Sequence, residues 1–402
     1  MNLLWKSQTD RPELFLNALG VLTVLGKNKS ETARALFHAG VDWEQLSTQQ
    51  GTPGAVTTPL PPLPAPFQHW NSRNNRLLWQ LLAQIKPDVE AVIRQYGPER
   101  IGVVIGSSTS GMKEGEEALR HFRQQQRWPS DFHYRQQELG APALFLADAL
   151  GLEGPAYVVA TACSSSAKIF STARRLLQST LCDAVLVGGV DTLCRFTAAG
   201  FQAIESLTPA PPCNPFSRNR QGIHIGEGGA LFLVSRDPAP IVLLGIGESS
   251  DAHHISAPDP AALGASLAVQ QALNEANLAD NRLCYVNLHG TATRLNDAME
   301  SRLVHQLYPD TPCGSTKALT GHTLGAAGAI EAAILWLSLH PKWNPHRVLP
   351  PHVWDGEADP ALPALPFVQS GESLRDHRSL VMISHSFAFG GSNCALVLGY
   401  RP

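Results

Sequence analysis

Short apolar runs recur along the chain, many of them closed by glycine. They alternate with longer stretches in which apolar residues return at helical spacing. The runs Leu14–Leu25, Ile101–Ile105, Ala156–Ala160, Ala184–Val187, Ala230–Val234, Ile241–Ile246 and Tyr285–Leu288 predict strands. Helices are predicted over Glu31–Ala39, Leu77–Tyr96, Ser165–Gln178, Pro260–Leu278 and Leu324–Leu339. In Ser165–Gln178, Phe170, Ala173, Leu176 and Leu177 share one side. In Pro260–Leu278, Leu263, Leu267 and Leu273 are expected to face inward. Leu324–Leu339 is apolar nearly all round, which predicts a helix sandwiched between layers. Gly51–Pro66 is crowded with Pro and Thr and is expected to be a surface loop. Strands alternating with helices argue for a largely parallel α/β architecture.

A weak internal echo adds to this. Gly226–Val234 and Gly390–Leu398 are both glycine clusters feeding a strand, each near the end of a half. The strand-then-helix unit around Cys163 is echoed around His322. Both features suggest a duplicated fold.

Composition narrows the function classes. The 402 residues are 44% hydrophobic, enough for a large core arranged as one α/β unit or as two or three domains. A formal net charge of −3 offers no global basic field for nucleic acid or an anionic membrane. Seven cysteines without a C-x-x-C pair argue against a disulfide framework or a zinc site and for a reducing compartment. The polar start Met1–Glu13 lacks the apolar stretch of a signal peptide, and no segment suggests a membrane span. A soluble cytoplasmic protein is expected.

Candidate chemistry gathers at four places. Cys163, in Ala160-Thr-Ala-Cys-Ser-Ser-Ser166, falls between a predicted strand and a predicted helix. A helix N-terminus favours a thiolate and offers N–H groups to an oxyanion. His289 closes a strand in Asn287-Leu-His-Gly-Thr-Ala-Thr293, and His322 stands at the entry to the apolar helix. Glu331 lies inside that helix, where a charge needs a partner such as Lys317. Phe387-Ala-Phe-Gly-Gly-Ser-Asn393 predicts a tight turn whose N–H groups face a ligand. Asp297 is expected to cap or charge a helix start, and His253-His254 to be loop histidines near a site entrance. A thiol and two imidazoles at element ends supply what nucleophilic acyl transfer needs.

These four segments together resemble the β-ketoacyl-[acyl-carrier-protein] synthases of type I and II, clearly from about Gly140 to the end and only weakly before it. The resemblance implies a thiolase fold with duplicated halves in a five-layer αβαβα arrangement. Residues 1–235 would carry the nucleophile and 236–402 the two histidines. It implies that Cys163 is acylated, that His289 and His322 assist malonyl decarboxylation, and that Lys317 and Glu331 order the site. Phe387, Ala388 and Phe389 would form the gating loop, with the N–H groups of Cys163 and Phe389 as oxyanion hole. Thr291 and Thr293 would bind phosphopantetheine. No metal or organic cofactor is implied. Acyl carrier protein is the implied partner, and the chain would pair as a homodimer or with a ketosynthase-like chain. Arg120, Arg123 and Arg127, or Arg73 with Arg76, are candidate carrier-docking clusters. Ala388 stands where relatives usually have Gly, and Ser217 where Asp is frequent. These departures suggest a specialised pathway, for example polyketide or aryl-polyene synthesis. A thiolase would place a second cysteine near Phe389, and a type III synthase would replace one histidine by Asn. A chain-length-factor-like partner, the non-catalytic alternative, typically lacks the nucleophile.

Overall fold

The computed structural model describes residues 12–38, 40–48, 54–278, 283–374 and 380–402. Most of the polar start, Ala39 and Gly51–Pro53 lie outside the described residues. Among the described residues ten strands carry the architecture: β1 (Phe15–Leu22), β2 (Ile101–Gly106), β3 (Ala156–Val159), β4 (Ala184–Asp191), β5 (Gly228–Ser235), β6 (Ile241–Ser250), β7 (Tyr285–Asn287), β8 (Cys313–Gly314), β9 (Val381–Phe387) and β10 (Ser392–Tyr400).

Reading outward from β1 the order is β1-β5-β4-β2-β3. Reading outward from β6 it is β6-β10-β9-β7-β8, the same arrangement one half later. In each half the first two pairings are antiparallel and the last two parallel. The halves join where Phe15 pairs with Val242 and the Leu243 N–H reaches the Leu14 carbonyl. The sheet is therefore mixed and not largely parallel. The short turn between β9 and β10 permits only an antiparallel pair. The echoed glycine segments prove to be the entries to β5 and β10, equivalent strands of the two halves.

Helices complete five layers. Ser165–Gln178 and Ala327–Leu339 pack together between the half-sheets. Arg73–Ala83 and Ala141–Leu150 cover the outer face of the first half, and Leu263–Glu275 covers the second. Every residue of Ala327–Leu339 is buried, as its all-round apolar character predicts. Gly328 lets this helix come close to Ala167, where a Cβ would meet backbone.

Other expectations change. Leu77–Tyr96 is two helices, Arg73–Ala83 and Lys86–Tyr96, because Pro87 can be accommodated only in a first helical turn. Leu263 and Leu267 do not face inward; they are 71% and 50% exposed. The buried face is instead Gly264, Ala265, Ala268, Val269, Ala272 and Leu273. Gly245 and Gly247 of β6 explain this, since a Cβ on either would overlap the carbonyls of Ala272 and Ala268. Helix and strand backbones are in such close contact that large side chains must point away. The 51–66 loop is only partly a surface feature. Val56 and Leu63 are buried, and the Val56 N–H donates to Glu227. Strands β8 and β9 escape hydrophobic patterning: β8 has two residues, and β9 carries Ser384, His385 and Ser386 in its interior.

Candidate active site

Cys163 sits on the turn from β3 into Ser165–Gln178, as its sequence position predicts. The preceding Ala162 takes φ +52°, a left-handed conformation that costs an alanine energy and sharpens the turn. Behind the turn, Gly106 brings the end of β2 against Ser166, and the Ser166 hydroxyl accepts the Ala329 N–H at 2.8 Å. The helix that follows Cys163 is thereby fastened to the helix that follows His322.

His322 places Nε2 3.1 Å from the Cys163 sulfur. Its Nδ1 accepts the Leu324 N–H, so in the neutral ring the proton resides on Nε2. Its backbone is held on both sides, donating to the His224 carbonyl and accepting from Gly226. His289 follows β7, and its ring lies 5.5 Å from that of His322 at 87°. Lys317 Nζ stands 3.4 Å from His289 Nδ1 and donates to the His289 carbonyl at 2.6 Å. An ammonium only donates, so the His289 proton also resides on Nε2. Lys317 is closed from the other side by its ion pair with Glu331, both residues being buried.

Burial sets the electrostatics. It pushes the Cys163 thiol up to about 11, opposed by the Lys317 charge and by the backbone N–H groups of Phe389 and Cys163. Cys163 therefore rests as a thiol, and the helix entrance does not by itself ionise it, contrary to what its position in the chain predicts. Burial, aided by Lys317, holds both histidines well below their ordinary range, so both are neutral. Burial raises Glu331 to about 7, with Lys317 pulling against it.

The reactive atoms of Cys163, His289 and His322 lie within 4.8 Å of one another, close enough to invite a metal. Their chemistry fits one poorly. A metal-binding Nε2 needs its proton on Nδ1, yet Nδ1 of His322 faces an N–H donor and that of His289 an ammonium. The three residues open instead on a cavity of about 320 Å³, also lined by Thr291, Thr293, Phe387, Ala388 and Phe389. The Thr291 and Thr293 hydroxyls are 2.9 Å apart. Phe389 packs on Phe201, ring centroids 5.8 Å apart.

The family model "Beta-ketoacyl synthase, N-terminal domain" matches residues 74–239, and "Beta-ketoacyl synthase, C-terminal domain" matches 241–353. The chain belongs to the β-ketoacyl synthase family. It is an acyltransferase of that type, and its thiolase fold is shared with solved ketosynthases. The mitochondrial 3-oxoacyl-[acyl-carrier-protein] synthase of Arabidopsis thaliana is 33% identical over 270 residues, 61% of this chain and 57% of that protein. 3-Oxoacyl-[acyl-carrier-protein] synthase 2 of Coxiella burnetii is 30% identical over 327 residues, 76% and 77% of the two chains. A chain from the complex of the ketosynthase ApeO with its chain length factor ApeC, from Xenorhabdus doucetiae, is 43% identical. It superposes with a TM-score of 0.87, covering 99% of this chain and 100% of that one.

Other residues singled out in the sequence take these places in the synthase. Ala388 has extended backbone, φ −92° and ψ 154°, so its methyl adds no strain to the turn after β9 and lines the cavity. Ser217 donates to Asp355, whose carboxylate also accepts from Asn214 and Asn219; an Asp there would set two carboxylates together. Asp297 does lie in the first turn of Arg294–Leu307, but its carboxylate spans loops, accepting the N–H groups of Phe216 and Thr291. Arg73 is bound to Glu227, which removes it from a docking patch. Cys394 is buried in β10 and does not line the cavity. His253 and His254 are exposed in the loop whose Ser256–Pro258 segment borders the cavity. Sequence reasoning missed Glu300, which accepts the N–H groups of His289 and Gly290 at 2.7 Å each, and Asp191, which accepts those of Ser108, Thr109 and Ala326. Each is an acid at a position that only the tertiary fold brings to a loop.

Proposed function

We propose that this ketosynthase condenses an acyl group, held as a thioester on Cys163, with malonyl-[acyl-carrier-protein] in fatty acid, polyketide or aryl-polyene-type biosynthesis. The observation that carries the reading is a sulfur within reach of two Nε2–H donors at the floor of one cavity. An acyl-carrier thioester enters, and the Cys163 sulfur attacks its carbonyl. The N–H groups of Cys163 and Phe389 take the oxyanion. The carrier leaves as a thiol, gaining the proton that Cys163 gives up. Malonyl-carrier follows, its phosphopantetheine along Thr291 and Thr293. Its carboxylate departs as CO2, and the electron pair of the broken C–C bond becomes a thioester enolate. The Nε2–H groups of His289 and His322 stabilise the enolate oxygen. The enolate carbon attacks the acyl-Cys163 carbonyl, the C–S bond breaks, the β-ketoacyl carrier leaves, and the expelled Cys163 thiolate takes a proton from solvent to regain its resting thiol. Lys317 and Glu331 hold His289, and Phe387, Ala388 and Phe389 gate the cavity. No step needs a metal or organic cofactor.

The division follows the same logic, with 1–235 as the half of the nucleophile and 236–402 as the half of the two histidines. The repeated strand order supports it. A second ketosynthase-like chain, identical or a chain length factor, would pair along β3. That strand is an open sheet edge with Tyr157 40% exposed, and an apolar edge of this kind calls for a strand partner. No described helix is long and apolar enough to cross a membrane. All seven cysteines are free, which supports a cytoplasmic setting. Mass spectrometry after incubation with acyl-[acyl-carrier-protein] tests the reading. The acyl mass appears on the Cys163 peptide, and Cys163→Ala loses both the adduct and condensation, on the order of 10⁴-fold. Full condensation by Cys163→Ala would overturn it. Absence of the adduct in the wild type, with tight binding to another ketosynthase chain, would favour the non-catalytic partner.

A further inference from the structure

Behind His289, away from the cavity, three buried polar side chains form a line that the mechanism above does not use. Glu300 lies on the inner face of Arg294–Leu307, and both its oxygens accept backbone N–H groups, of His289 on Oε1 and of Gly290 on Oε2. His385 Nδ1 lies 3.1 Å from Oε1 of the same carboxylate. His385 Nε2 is hydrogen-bonded to the Tyr308 hydroxyl. Glu300 and His385 are both 0% exposed, and Tyr308 is 2% exposed.

The proton directions follow from chemistry. A carboxylate only accepts, so the His385 proton facing it is on Nδ1. The other ring nitrogen, Nε2, meets the Tyr308 hydroxyl, which can donate to it. The line is fully satisfied from hydroxyl to backbone, with no donor facing a donor. It also reaches the cavity wall. The His385 ring is 5.1 Å from that of Phe387, the next inward residue of β9, and Phe387 is 6.2 Å from the His289 ring.

We propose that Tyr308 and His385 are positioning residues for the decarboxylation half of the reaction. They orient Glu300, which through two short N–H contacts sets the turn carrying His289. They touch no substrate, and Cys163 and His322 are held by other groups, Ser166, Leu324 and His224 among them. Loss of the line therefore moves His289 and spares acyl transfer to Cys163. The inference rests on the Cys163 and His289 roles proposed above.

The test resolves the two half-reactions in the full-length enzyme. Acylation of Cys163 by acyl-carrier is followed by mass in single turnover, and CO2 release by the acyl-enzyme on adding malonyl-carrier is followed separately. Wild-type acylation measured alongside tests the Cys163 reading on its own. For His385→Leu we expect decarboxylation and condensation to fall about 10- to 100-fold, the scale of one lost hydrogen bond to a buried charge, with acylation within about 3-fold of wild type. His385→Asn, whose amide can replace the Nδ1–H donor, should recover most of the loss. Tyr308→Phe deletes a single oxygen from an aromatic side chain and is expected to cost about 3- to 10-fold in decarboxylation alone. It supplies the decisive comparison where His385→Leu does not fold. Equal loss in both half-reactions, or unchanged decarboxylation in Tyr308→Phe, would overturn the proposal.

Discussion

Each half of the molecule places a buried carboxylate beneath the loop that follows its second-outermost strand, and the two loops do different work. In the first half Asp191 takes the N–H groups of Ser108 and Thr109 after β2, together with the hydroxyls of Ser107 and Thr109. In the second half Glu300 takes those of His289 and Gly290 after β7. One scaffold device holds an inert hydroxyl loop in one place and a reactive imidazole in the other. The same holds at the edge strands. β3 leads to Cys163 and β8 leads to Lys317 and His322, so nucleophile and histidine occupy corresponding ends of the repeat. Duplication supplies paired strand ends that converge, and side-chain identity assigns the chemistry.

The sharpest way to break this comparison is at the buried Lys317–Glu331 ion pair of the second half. Lys317→Met leaves the Glu331 carboxylate buried and alone, which should cost about 3–5 kcal/mol in urea unfolding. Glu331 already sits near 7 through burial, and without the ammonium it rises further. The variant should therefore regain stability as pH falls from 8 to 5, as the carboxyl takes up a proton. Lys317→Met with Glu331→Leu should recover most of the loss at every pH.

A smaller effect lies at Asp297, whose carboxyl is raised from 3.8 to about 6 by burial. Between those values the folded state keeps a proton that the unfolded chain releases. Its contribution is complete below about pH 4 and is lost as pH rises through 6, about 3 kcal/mol in all. Unfolding free energies measured from pH 4 to 7 should carry that slope, and Asp297→Asn should flatten it. Asp191 ought to be smaller again. Asp191→Asn keeps one acceptor oxygen for the N–H groups of Ser108, Thr109 and Ala326 and should cost about 2 kcal/mol, the scale of a weakened charge-assisted hydrogen bond. A larger fall in decarboxylation than in stability would mean that the first-half loop is catalytic after all and that the two halves are not divided as described.

The chemistry-bearing residues were legible because each stands in a dense local pattern of glycines, small hydroxyl residues and a strand end. Cys163, His289, His322, Lys317 and Glu331 all meet at the site those patterns suggest. The residues that hold them were not. Glu300, His385 and Tyr308 look like helix-surface or strand polar positions in the sequence, and their pairing depends on which face is turned inward. Leu263 and Leu267 fail for a related reason. Their helix has enough alanine and glycine on another face to pack more tightly than leucine allows, and the glycines that permit this lie on a different strand.

Local spacing and residue type thus determined the alternation of strands and helices, the duplicated plan and the reactive triad of this synthase. They are properties of neighbours along the chain, and backbone geometry acts at that range. The tertiary structure alone decided which proton each histidine carries, how far burial displaces each titrating group and which carboxylate holds which loop. Those depend on desolvation and on donors brought from distant parts of the chain, as the Phe389 N–H is to Cys163.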